Sequence, residues 1–146
     1  MDKKSFVRVV IWMSVILDLI ILDQVTKVIA FKISPVRFSE FLSLEHFYNN
    51  AFAFSLPVPI PLAYCIYAIV LGSLIYYLYK NYPRISKLEG FAWAAILAGA
   101  LSNVGERIIF GSVKDFIGIG TGVFNFADLY IMIGAVVLLI FNRPSR

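Results

Sequence analysis

Four long apolar stretches separated by short basic clusters constrain this chain more than any other feature. They run from about Phe6 to Phe31, Pro59 to Tyr79, Leu88 to Phe110 and Phe124 to Phe141. A helix needs roughly 20 apolar residues to cross the hydrocarbon core of a bilayer, and each stretch is of about that length. The chain is 60% hydrophobic and 15% charged, against about 45–50% and 25% in soluble domains. Most of its surface must therefore face lipid or other helices. The expected fold is an all-α membrane protein of four transmembrane helices. Residues 1–146 are long enough for one membrane domain and too short for two.

The cations set the orientation. Lys3, Lys4, Arg8, Lys80, Arg84, Lys87, Arg143 and Arg146 lie on one side of the spans, eight in all, against Lys27, Lys32, Arg37, Arg107 and Lys114 on the other. The richer side is expected in the cytoplasm, with both termini. The net charge of +4 comes from these inter-span clusters and not from one basic face, which argues against a nucleic-acid partner. The first span is too long for the apolar core of a signal peptide, carries Asp18 and Asp23, and is followed by no small-residue cleavage site; it reads as a retained helix.

The outward loop from Lys32 to Val58 is too apolar for an open linker. Leu42-Ser43-Leu44-Glu45-His46 alternates like a strand. Ala51-Phe52-Ala53-Phe54 suits the headgroup zone. A small extracytoplasmic platform with a short sheet is expected. Cys65, the lone cysteine, reads as a small buried hydrophobe, and His46 as a loop or interface polar residue. With no His or Cys cluster, no metal or cofactor is expected.

Carboxylates beside hydrocarbon are costly, so a membrane protein that keeps them usually uses them. Asp115 and Asp128 each border an apolar segment, and Gly118, Gly120 and Gly122 lie between them. That stretch reads as a flexible turn able to bring the two carboxylates face to face as a pair sharing a proton. The alternatives are a solvated loop acid at Asp115 and a helix cap or first-turn dipole partner at Asp128. Asp23 and Lys27 are four apart on one helical face, as an interfacial ion pair or as a carboxylate that orients a site. Asn103, Glu106 and Arg107 share a face by the same spacing, as a buried hydrogen-bond network or a structural clamp. Asn49 and Asn50 suit a turn or a site, and Asp18 has no assigned role.

Together these segments resemble the lipoprotein signal peptidase (signal peptidase II) family. Asp23-Gln24-Val25-Thr26-Lys27 is similar to its D-Q-x-[TS]-K box, and Asn49-Asn50-Ala51-Phe52-Ala53-Phe54 to its N-x-G-x-A-F box. The run from Gly99 to Asn103, with Glu106, Arg107 and Gly111 to Phe116, resembles the third box, and Phe124-Asn125-Phe126-Ala127-Asp128 the F-N-x-A-D box. The four stand in the expected order, from Leu22 to Gly134. The resemblance implies four transmembrane helices with an outer β-cradle and a headgroup-level helix. It implies a catalytic dyad of Asp115 and Asp128, with Asp23, Lys27, Asn49, Asn103, Glu106, Arg107, Asn125 and Ala127 lining or supporting the site.

The implied activity is an aspartyl endopeptidase of the bacterial cytoplasmic membrane, its site toward the outer leaflet. It would cut diacylglyceryl-modified prolipoproteins before the lipidated cysteine, as a monomer among membrane lipids. The sequence departs from the family pattern with Ala51 and Ser102 in place of glycines, Glu106 in place of aspartate and Lys114 in place of an apolar residue. Those departures leave a second reading, a catalytically inactive relative that binds lipoprotein precursors. A third, an ion-coupled carrier using intramembrane acids, gives no reason for the four boxes.

Overall fold

Helix α1 (Lys3–Ala30) is an apolar run without glycine or proline. It leads into strands β1 (Val36–Arg37) and β2 (Leu42–Asn49). Helices α2 (Ile60–Asn81) and α3 (Lys87–Phe110) follow, joined by a 3-10 turn at Tyr82–Arg84. Strands β3 (Val113–Ile119) and β4 (Gly122–Phe124) then lead to α4 (Phe126–Phe141). This computed structural model describes residues 3–50 and 58–141. The expected interfacial helix at Ala51–Phe54, and Ala51 itself, lie outside the described residues.

The helix ends are written in the sequence. Ser86 and Glu89 form a capping box at the start of α3: Glu89 N–H donates to Ser86 Oγ, and Ser86 N–H to Glu89 Oε2. Gly111 closes the same helix at φ 73° and donates its N–H to the Arg107 carbonyl. Pro59 caps α2, with a second proline in its first turn.

Helix α3 is the centre, packed on α4 and α1, and its buried face is mostly small: Gly90, Ala92, Ala94, Ala98 and Gly99. Side chains of this size let helix backbones approach closely where lipid gives no hydrophobic drive. A Cβ on Gly99 would meet the Ala127 carbonyl, and one on Gly134 the Ala92 carbonyl. The outward faces carry large apolar side chains, Ile69, Tyr76, Ile108 and Leu139 among them, each more than 60% exposed. Exposed apolar surface on this scale needs a nonaqueous neighbour.

The four helices fall where the apolar runs place them. By length and composition two of them, α2 from Pro61 and α3, are long and apolar enough to cross a membrane, and α4 is a shorter apolar helix. The expected count of four spans is therefore met by two on that measure. Helix α1 has the length and carries Asp18, Asp23 and Lys27 along it. Cys65 lies exposed on α2, contrary to the expected buried position. In a chain whose exterior is hydrocarbon-like, an apolar setting does not mean an interior one.

The sheet has the order β1-β2-β3-β4, antiparallel throughout. Strand β2 forms where the alternation was read at Leu42–His46 and extends to Asn49, though burial along it does not alternate. The stretch after Asp115 is a correction: it is a tight hairpin and not a flexible turn. Ile119 pairs with Gly122 across Gly120 and Thr121, and Gly120 takes φ 59°. A β-bulge between Leu44 and Phe47 brings His46 back to α1. Its Nε2 lies 3.1 and 2.9 Å from the carbonyls of Ala30 and Ile33, and its ring stacks on Phe31. The sheet is thereby anchored to the end of α1.

Candidate active site

The β2–β3 register creates one side of the site. Asn49 pairs with Val113, and Phe47 with Asp115, so Asn49 and Asp115 are diagonal neighbours on one face. Asn49 Nδ2 donates to Asp115 Oδ2 at 3.0 Å. Strand β4 returns the chain to Asn125, which donates from Nδ2 to Asp115 Oδ1 at 2.6 Å. Both oxygens of Asp115 are therefore engaged, and the residue is 1% exposed.

The other side is the head of α4. Asn125 Oδ1 accepts from Asp128 N–H at 2.9 Å, while Asp128 Oδ2 accepts from Asn125 N–H at 3.2 Å. This reciprocal pair has the capping-box pattern with Asn125 as the cap and Asp128 in the first turn, so of the two helix readings of Asp128 the first-turn one holds alongside any chemical one. Asn103 Nδ2 from α3 donates to Asp128 Oδ1 at 2.8 Å. Asn125 thus touches both carboxyl groups, and the charge of Asp128 acts on Asp115. Burial pushes the Asp115 carboxyl up to about 6; the Asn49 hydrogen bond opposes this, and the Asp128 charge adds to it.

Beneath the two aspartates lies a buried ionic cluster. Lys27 Nζ is 2.7 Å from Asp23 Oδ2, 2.7 Å from Glu106 Oε2 and 3.2 Å from Asn103 Oδ1. Asp23 and Lys27 are 0% and 1% exposed, so their pair is buried between the helices. Asp23 Oδ1 accepts the Ala127 N–H at 3.0 Å, which pins the first turn of α4. Asn103, Glu106 and Arg107 do share one stripe of α3. Arg107 Nη1 donates to the Asn103 carbonyl, and the guanidinium lies 5.8 Å from the Tyr67 ring.

All ten expected site residues fall in the described part, and nine of them join this network directly. Arg107 reaches it through the Asn103 backbone. Asp18 lies away from it, exposed on α1. Two participants, Ser102 and Gln24, were not among the expected site residues. Ser102 Oγ donates to Asp23 Oδ2 at 2.7 Å and accepts from Gln24 Nε2 at 2.9 Å. A hydroxyl at a position read only as a missing glycine was the available signal. Lys114, another departure, packs its Nζ between the Phe31 and Phe110 rings.

The chain that carries this site has known relatives. A family model described as Signal peptidase (SPase) II matches residues 15–142. The chain belongs to the signal peptidase II family. Membership makes it a protease. It is 33% identical to a lipoprotein signal peptidase of Fusobacterium nucleatum, over 93% of this chain and 90% of that protein. With a lipoprotein signal peptidase of Aquifex aeolicus the identity is 30%, over 97% and 94%. A solved bacterial membrane enzyme superposes with a TM-score of 0.78 at 27% identity, covering 92% of this chain and 94% of that one. The matched residues 15–142 take in every site residue described above, from Asp23 to Asp128.

Proposed function

We propose that this chain is an aspartyl endopeptidase that removes signal peptides from diacylglyceryl-modified prolipoproteins, cutting before the lipidated cysteine. The observation that carries the reading is the pair of carboxylates bridged by Asn125, one on β3 and one on α4. One carboxylate takes a proton from the attacking water, and the other donates to the scissile carbonyl oxygen. Burial raises the Asp115 carboxyl to about 6, which suits a pair of carboxyl groups that shares one proton. Apparent pKa values in such a pair belong to the pair.

The four helices span the bacterial cytoplasmic membrane as one domain, with both termini in the cytoplasm and the sheet at the outer leaflet. The eight-to-five division of basic residues supports that orientation. One chain supplies both carboxylates and every supporting group, so a monomer suffices. The inactive alternative loses its ground, because Ser102 and Glu106 are engaged with the ionic cluster and displace neither carboxylate.

The test is cleavage of a diacylglyceryl-modified prolipoprotein by purified protein in detergent. Asp115→Asn and Asp128→Asn are each expected to lose at least ~10²–10⁴-fold, the usual size of the proton-transfer contribution, with the fold intact. Retained activity in either variant removes the dyad assignment.

A further inference from the structure

One feature of the ionic cluster is not explained by holding α1 against α3. Its two carboxylates each accept the backbone N–H of the residue just before one of the paired aspartates. Asp23 Oδ1 accepts from Ala127, which precedes Asp128, at 3.0 Å. Glu106 Oε2 accepts from Lys114, which precedes Asp115, on a longer arm of 3.4 Å. Lys27 Nζ stands between them at 2.7 Å from each carboxylate. Its remaining bond goes to Asn103 Oδ1, which also accepts from Asn125 Nδ2. With its oxygen facing those two donors, the Asn103 amide can only turn its NH2 toward Asp128.

We propose that Asp23, Lys27 and Glu106 form a two-armed clamp that sets the separation of Asp115 and Asp128 through these backbone N–H groups. Ser102 is its fourth member. These are positioning residues: they act on the dyad through Ala127, Lys114 and Asn103. Two of the four departures from the family pattern, Ser102 and Glu106, are then functional parts of this chain's clamp. Ser102 supplies a hydroxyl that holds Asp23 Oδ2, and Glu106 reaches both the Lys27 ammonium and the Lys114 backbone from one oxygen. Misplacing a reacting group by about 1 Å costs on the order of 10²-fold.

This inference rests on the dyad reading, and its test separates the two. Removing Lys27 would leave two carboxylates buried without a cation and risks unfolding. The informative variants are therefore Ser102→Ala and Glu106→Gln, compared with Asp115→Asn. Kinetics on a diacylglyceryl-modified prolipoprotein are measured beside the melting temperature. Both clamp variants are expected to lower kcat roughly 10–100-fold, leaving KM within about twofold, because binding surfaces are untouched. Wild-type kcat in both, a loss confined to KM, or a loss that only follows a fallen melting temperature overturns the clamp. An active Asp115→Asn overturns the dyad reading instead. An inactive Asp115→Asn beside fully active clamp variants leaves that reading standing and removes the clamp alone.

Discussion

Asp115 is the residue whose surroundings make the clearest physical demand. It is buried, bonded by two amide NH2 groups and close to a second carboxylate, and its pKa rises from 3.8 to about 6. A carboxyl with a raised pKa binds its proton more tightly in the folded state than in the unfolded one. The stability this gives is fully present below about pH 4 and lost as pH rises through about 6. Asp115→Asn keeps a neutral, isosteric group and removes that loss. The melting temperature of Asp115→Asn in detergent should therefore gain on wild type between pH 4 and 7. A difference that stays constant across that range would contradict the assigned burial. At this scale the sequence was informative in part. The aspartates and asparagines could be picked out because polar groups in apolar runs are costly. The bond from Ser102 to Asp23 could not, because a hydroxyl on a helix more often turns back on its own backbone, as Thr26 does on the Leu22 carbonyl.

Among the elements, the α3–α4 contact carries the site. Asp128 is in the first turn of α4, and Gly99 lets α3 approach that turn at the Ala127 carbonyl. An added Cβ there meets backbone, which cannot swing aside as a side chain does, so α4 must move. Overpacking of this kind costs about 1–3 kcal/mol, and a shift of Asp128 by a fraction of the helix spacing reaches the chemistry. Gly99→Ala should lower cleavage of the lipidated precursor by on the order of 10²-fold. Gly72→Ala on α2, where nothing lies within 4 Å, serves as the control and should stay near wild type. Equal activity in the two variants would show that the close approach does not position Asp128. The helices were legible from hydropathy because their apolar runs are long. Strand β2 was legible from its alternation. Strands β3 and β4 were not: Gly118, Gly120 and Gly122 read as turn, and both faces of β3 carry buried residues, so no alternation survives. What reveals the hairpin is the partner strand, which is remote in sequence.

For the whole molecule, orientation is the property that decides whether the site meets its substrate. The sheet, the end of α1 and the head of α4 gather at one end of the helices, while the 3-10 turn Tyr82–Arg84 lies between α2 and α3 at the other. The end with the sheet carries the fewer cations. A prolipoprotein lipidated at the outer leaflet can reach Asp115 and Asp128 only if that end faces outward. Cys65, the single native cysteine, makes this measurable. In a Cys65→Ala background, Glu40→Cys on the sheet side should react with a membrane-impermeant maleimide in intact spheroplasts. Arg84→Cys at the opposite turn should react only after permeabilisation. Both sites are exposed, so differential burial cannot produce the contrast. The reverse pattern would place the two carboxylates in the cytoplasm, where a lipid-modified cysteine at the outer leaflet lies a full hydrocarbon thickness of ~30 Å away. The peptidase reading would then fail on geometry, however well the dyad is built.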